Sequence, residues 1–308
     1  MPIKPTRGFT LVELLIVIAI ISILVGVTVV VTGSVMNRAT STKDMGNHRI
    51  IGSATWSHSV DNKGSLLHPR VYSNGENPGA PDNSTLEQIA RFWVNADPDE
   101  LDSDGNPRVV DVSGYTVELQ SALKDGAAYP YIGDMRVYQS PLDPTIGDLN
   151  EFVATNTNLK KQRIRSYSLN GFVGVEWGAD DYEEYRDSPP LRLEANGYWI
   201  PTETVSQIPQ PSNTMCSIGE NDKDGRNNNG WILNPSTEQW VDFPSFWDEG
   251  RVNMSFIDGS TGSIKITSDT LKEKWEQFGH DQITSDLQEY KDFRKILLPG
   301  LIGTMLDN

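Results

Sequence analysis

Arg7-Gly8-Phe9-Thr10-Leu11-Val12-Glu13-Leu14-Leu15-Ile16-Val17-Ile18-Ala19-Ile20 opens the stretch that decides the architecture of this chain. The apolar run continues through Ile21-Ser22-Ile23-Leu24-Val25-Gly26-Val27-Thr28-Val29-Val30-Val31, and no residue from Leu14 to Val31 is charged. At about 1.5 Å of helical rise per residue, this run together with Phe9 to Val12 can cross a hydrocarbon core of about 30 Å. Lys4 and Arg7 precede it, so the positive-inside rule keeps the start of the chain cytoplasmic and exports the residues beyond Val31. No Ala-x-Ala site comes after the run, which disfavours an ordinary signal peptide. Glu13 stands out within it. A carboxylate in a span costs on the order of 2.5–3.5 kcal/mol even on gentle insertion scales, so Glu13 either snorkels to water at the helix end or meets a positive group inside the membrane.

This segment resembles, nearly residue for residue, the class III signal of type IV prepilins and type II secretion pseudopilins. The resemblance implies a membrane prepilin peptidase that cuts after Gly8 and methylates the new amine on Phe9. It also implies that Glu13 takes the place of the family's assembly glutamate, which neutralises the N-terminal amine of a neighbouring subunit. The implied partners are the peptidase, identical or related subunits in a helical filament, an inner-membrane assembly platform and membrane lipid. Before assembly the chain would cross the inner membrane once with a periplasmic globular domain. After assembly it would stand in an extracytoplasmic or cell-surface filament.

The rest of the chain reads outward from that segment. Val35, Ala39, Thr42, Gly46 and Ile50 lie three or four apart and give one weakly apolar helical face. Gly64, after Asp61-Asn62-Lys63, suits a helix C′ position. The expected organisation is a leader at 1–8, a transmembrane half-helix at 9–33, an amphipathic half-helix at 34–63 and an extracytoplasmic domain at 64–308. The expected fold class is α+β: a long N-terminal helix packed on an antiparallel sheet, with a large C-terminal elaboration.

The whole chain of 308 residues carries a formal charge of −16, which opposes nucleic acid as a partner because phosphates would be repelled. Cys216 is the one cysteine, so no internal disulfide and no cysteine-based zinc site can form. No nucleophile elbow, phosphate-binding glycine loop or zinc His-Glu pattern appears, and no enzymatic activity is expected.

Two further segments resemble a branch of pseudopilin-like proteins with large C-terminal domains. Tyr138-Gln139-Ser140-Pro141-Leu142-Asp143 and Ser166-Tyr167-Ser168-Leu169-Asn170 are similar to that branch's Tyr-x-Cys-Pro-x-Asp and Ser-Tyr-x-x-Asn, with Ser140 in place of the cysteine. Arg251 to Phe256 alternates before Asp258-Gly259, a hairpin signal whose partner strand returns at Ser263 to Thr267. That hairpin resembles the branch's His-x9-Asp-Gly motif. Asp258 and Gly259 match as a structural turn, and the histidine position falls on Asp248.

Glu100, Asp102, Asp104 and Asp111 are spaced like the ligands of a calcium loop, with Gly105 at its sixth position. Arg108 at the ninth fits poorly, and a solvated acidic loop is the alternative. Glu220 to Gly230 is a weaker candidate of the same kind. Trp231, Trp240, Phe243, Phe246 and Trp247 form either core or, if exposed, a surface for a sugar or partner. The function expected from all this is a structural subunit of a type IV pilus or type II secretion pseudopilus-like filament. The alternative is a binding or adhesion module mounted on a pilin helix.

Overall fold

The computed structural model describes residues 9–71, 90–96, 105, 108–112, 115–118, 120–144, 146, 164–174, 203–221, 230–234, 239–277, 280–284 and 288–297. At 27–34, 109–112, 115–118, 234, 276–277 and 280–284 this covers the backbone alone. The chain falls into two compact units, Met1–Lys43 and Asp44–Asn308.

Helix α1 spans Leu11–Asp61, 51 residues or about 77 Å of helical rise. A reciprocal cap starts it: the Thr10 N–H donates to Glu13 Oε2 at 2.8 Å, and the Glu13 N–H donates to Thr10 Oγ1 at 3.2 Å. Its other end is closed by left-handed backbone at Lys63 and Gly64, φ 57° and 93°, which turns the Gly64 N–H onto the Ser59 carbonyl at 2.7 Å. In the first unit the side chains of Phe9 to Gly26 are exposed. Among the described residues no helix is long and apolar enough to cross a membrane. The side chains of residues 27–34, which hold the end of the apolar run, lie outside the described residues.

The second unit is built on a four-stranded antiparallel sheet. Strands β1 (Val109–Val112) and β2 (Tyr115–Glu118) form a separate two-stranded ribbon. Short helices α2 (Gln120–Lys124) and α3 (Tyr129–Ile132) come next, then a 3-10 turn at Met135–Tyr138. The main sheet holds β3 (Tyr167–Leu169), β4 (Met215–Gly219), β7 (Arg251–Phe256) and β8 (Thr261–Lys265), in the order β3-β4-β7-β8. A second sheet, β5-β6-β9, is made of β5 (Leu233–Asn234), β6 (Gln239–Asp242) and β9 (His280–Thr284). Helices α4 (Asp269–Gln277) and α5 (Gln288–Leu297) flank β9 in sequence. The chain is therefore α+β, with a long N-terminal helix and an antiparallel sheet.

Alternation along the strands sorts two cores onto opposite faces of the main sheet. Val252 and Met254 of β7 join Trp231, Trp240, Trp275, Tyr290 and Phe293. Asn253 and Ser255, which alternate with them in sequence, face α1. A bulge between Met215 and Ser217 breaks the alternation of β4. Two successive side chains, Cys216 and Ser217, thereby meet α1, at Thr55 (3.3 Å) and His48 (2.9 Å) respectively.

The face α1 turns to the sheet is mostly polar. Asp44, Asn47, His48, Thr55, His58 and Ser59 are buried there, with Ile51, Gly52 and Ala54 among them. Val35, Ala39, Thr42 and Ile50 of the weakly apolar face are exposed, and Gly46 is half-buried. Gly52 permits the close approach: a Cβ there would stand 3.1 Å from Ser255 Cβ and 3.2 Å from the Phe256 carbonyl oxygen. Just beyond β7, the turn from Ile257 to Ser260 sets Gly259, φ 81°, against Ser53 of the helix.

Candidate functional site

Asp44 is the hub of the buried polar face. Its Oδ1 accepts from the Ser140 hydroxyl at 2.6 Å and the Tyr167 hydroxyl at 2.7 Å. Its Oδ2 accepts from the Asn253 side-chain amide at 2.8 Å. The same Asn253 nitrogen lies 3.1 Å from Asp248 Oδ2. Asn47, one turn further along α1, donates to the Gln139 carbonyl at 2.8 Å and to the Tyr167 hydroxyl at 3.2 Å. The Ser166 hydroxyl donates to Asp143 at 2.8 Å, and the Ser168 hydroxyl donates to Glu220. Asn170 donates to the carbonyls of Met215 (3.0 Å) and Leu297 (2.8 Å) and accepts the Phe172 N–H (2.9 Å).

The three branch-like segments therefore meet at one helix residue. Ser140 comes from the first, Tyr167 from the second, and Asp248 reaches Asp44 through Asn253 from the third. Both departures from the branch's pattern, Ser140 and Asp248, lie in this network. A serine hydroxyl supplies a short bond to a carboxylate, and hydrogen bonds to charged groups are among the stronger ones. The Asp258 carboxylate closes its own turn, accepting the Ser260 N–H at 2.9 Å and hydroxyl at 2.6 Å.

A serine, a histidine and an aspartate stand in series here. Ser217 Oγ lies 2.9 Å from His48 Nδ1, and His48 Nε2 lies 4.0 Å from Asp44 Oδ2. His48 and Ser217 are both 0% exposed, and the Ser217 hydroxyl also pairs with Ser255 at 2.6 Å. The series ties α1 to β4 and β7 with no serine oxygen turned to solvent. Burial pushes the His48 imidazole down to about 4, against a smaller upward pull from Asp44. Burial first, then the nearby Asp44 charge, holds the Tyr167 phenol well above its usual range. Burial pushes the Cys216 thiol up to about 11.

At the other end of α1, Glu13 Oε2 also takes the Thr10 hydroxyl at 2.7 Å. Phe9 and Thr10 precede the first helical residue, Leu11. Gly8 itself lies outside the described residues. Of the calcium-loop candidates, Glu100, Asp102 and Asp104 lie outside the described residues, and Asp111 is described only as backbone in β1. Gly105 has φ 80°. Among the described residues no cluster of three or more His, Cys, Asp or Glu could hold a metal ion. Trp231, Trp240 and Phe243 are buried in the second core, while Phe246 and Trp247 are half-buried.

Sequence reasoning missed Asp44, Asn47, His48 and Asn253. The one local signal was the spacing of Asp44, Asn47, His48, Ile51, Thr55, His58 and Ser59 along a single helical face. A polar face reads by default as solvated.

A comparison with curated proteins and one with solved structures find no match. Residues 3–29 match the family described as prokaryotic N-terminal methylation motif, so this chain carries the signal of a type IV pilin-like or pseudopilin precursor.

Proposed function

We propose that the chain is a structural subunit of a type IV pilus or type II secretion pseudopilus-like filament. The supporting observation is the methylation motif at residues 3–29, set directly before and into a capped helix that starts at Leu11. Prepilin peptidase cuts between Gly8 and Phe9 and methylates the Phe9 amine. The apolar N-terminal half of α1 holds the precursor in the inner membrane, and an assembly platform then passes it into a helical filament. Every atom of the Thr10–Glu13 cap lies downstream of that bond, so the cap outlasts processing. Glu13 Oε2 is occupied by Thr10. Oε1, which accepts no hydrogen bond among the described residues, is left for the Phe9 amine of a neighbouring subunit. Such a pair offsets the cost of a charge in an apolar surrounding.

Intact mass of the mature protein tests the processing step. Loss of Met1–Gly8 with gain of one methyl group is expected, and an uncut N-terminus removes the reading. Glu13→Ala should be cut normally and fail to enter filaments; normal assembly of that variant removes the proposed ion pair.

A further inference from the structure

The buried histidine of α1 is not used by the filament reading, and its surroundings suit only one protonation state. His48 Nδ1 faces Ser217, and the ring packs edge-on to Tyr167 with centroids 4.6 Å apart. Nε2 is buried and has no hydrogen-bond partner. A neutral imidazole leaves one such atom idle at modest cost. An imidazolium carries a donor on both nitrogens, and an unpaired buried donor bearing charge is far more expensive.

The acceptor within reach is already engaged. Asp44 Oδ2 lies 4.0 Å from Nε2, too far for a hydrogen bond, and it receives Asn253 at 2.8 Å. A proton on Nε2 draws Oδ2 toward a pair within the helix, since Asp44 and His48 are one turn apart. That weakens the bond from the helix to Asn253 of β7, and with it the link to Asp248. Among the described residues the faces packed against His48 supply no further counter-charge: β3 presents Tyr167, β4 Cys216 and Ser217, and β7 Asn253 and Ser255. Charged groups bound to or carried by these elements include Asp248 at Asn253, Arg251 at the exposed start of β7, Asp143 at Ser166, Glu220 at Ser168, and Arg165, which donates to the Tyr167 carbonyl at 2.9 Å.

We propose that the His48–Asp44 pair makes the grip of the second unit on its own segment of α1 acid-labile: proton uptake by His48 loosens that segment from β3, β4 and β7 and uncovers Cys216. The latch acts whether or not the chain enters a filament. Once the helix lifts, His48 meets water and regains its ordinary proton affinity, whereas the closed form suppresses it. The opening equilibrium therefore rises as pH falls, by about 30-fold between pH 7.5 and 5 for one histidine of this kind.

Cys216 is the built-in reporter, being the one thiol in the chain, buried, and paired with Thr55 of α1 at 3.3 Å. The full chain in mild detergent is labelled with a pyridyl disulfide, which reacts in acid, and each rate is divided by that of a small free thiol at the same pH. The corrected rate should climb about 30-fold from pH 7.5 to 5, and His48→Gln should flatten the profile. His58→Gln, on the same helix face, should leave the rise in place. A flat wild-type profile overturns the proposal, as does a rise that persists in His48→Gln. If His48→Gln does not fold, loss of the rise in His58→Gln overturns it instead.

Discussion

Replacing Asp44 by Asn tests whether one side chain holds the three segments together. The carboxylate accepts from Ser140, Tyr167 and Asn253. An asparagine of the same shape offers one oxygen and one NH2 group. The cheaper orientation keeps the oxygen on the two hydroxyls and turns the NH2 toward the Asn253 amide, donor against donor. Asn253 then keeps Asp248, 3.1 Å away, but loses its shorter bond. One buried donor without an acceptor costs about 1–3 kcal/mol, and the two hydroxyl bonds weaken once their acceptor is neutral. Relief from burying a charge offsets part of this, leaving a net loss of about 2 kcal/mol. For a unit of this size that lowers the melting temperature by about 4–8 °C. The assay is denaturant and thermal unfolding of the full chain in mild detergent at pH 7.5, for Asp44→Asn, Ser140→Ala and the double variant. The two changes should be non-additive by about 0.5–1 kcal/mol, because Asp44→Asn has already weakened the bond that Ser140→Ala removes. A loss under about 0.5 kcal/mol for Asp44→Asn, with strict additivity to Ser140→Ala, would falsify the hub.

Gly52→Val should destabilise by about 1–3 kcal/mol, read as a shift of the unfolding midpoint, because a branched side chain meets Ser255 and the Phe256 carbonyl where a bare Cβ is already at 3.1–3.2 Å. Gly126→Ala should be at least as severe in the same assay, since its Cβ would fall 2.2 Å from the Trp93 carbonyl oxygen and backbone must move. Trp240→Ala should cost about 3–5 kcal/mol, as this side chain packs on Trp231, Trp275, Tyr290 and Phe293 at once. Conformational stability should fall as pH drops from about 6.5 toward 4, because the unfolded chain then binds a proton on His48 that the folded chain refuses. Urea midpoints across that range, compared between wild type and His48→Gln, read the slope directly.

The parts of the fold legible from sequence are those whose signals are local. Glycine at a left-handed position marked the helix end near Gly64, and hydropathy marked the helix itself. Alternation before an Asp-Gly pair marked the β7–β8 hairpin. The choice of helix face was not legible. Val35, Ala39, Thr42, Gly46 and Ile50 form the apolar stripe a periodicity reading selects, yet the sheet takes the polar side, because β7 and the bulged β4 present Asn253, Ser255, Cys216 and Ser217 to it. Nor was the role of Ser140 and Asp248 legible, since a departure from a pattern says what is missing and not what the new side chain bonds.

By itself the sequence determined the N-terminal methylation motif at residues 3–29, the uncharged run from Leu14 to Val31 and the lone carboxylate at Glu13 ahead of it. Cleavage signals, charge and hydropathy belong to consecutive residues, so they need no fold to be read. Only the tertiary structure decided what holds the sheet of the second unit to its own segment of α1. Asp44 meets Ser140, Tyr167 and Asn253 across 96, 123 and 209 residues of chain. No local rule reaches that far. Polar side chains look solvated until the sheet closes over them and makes each hydrogen bond obligatory.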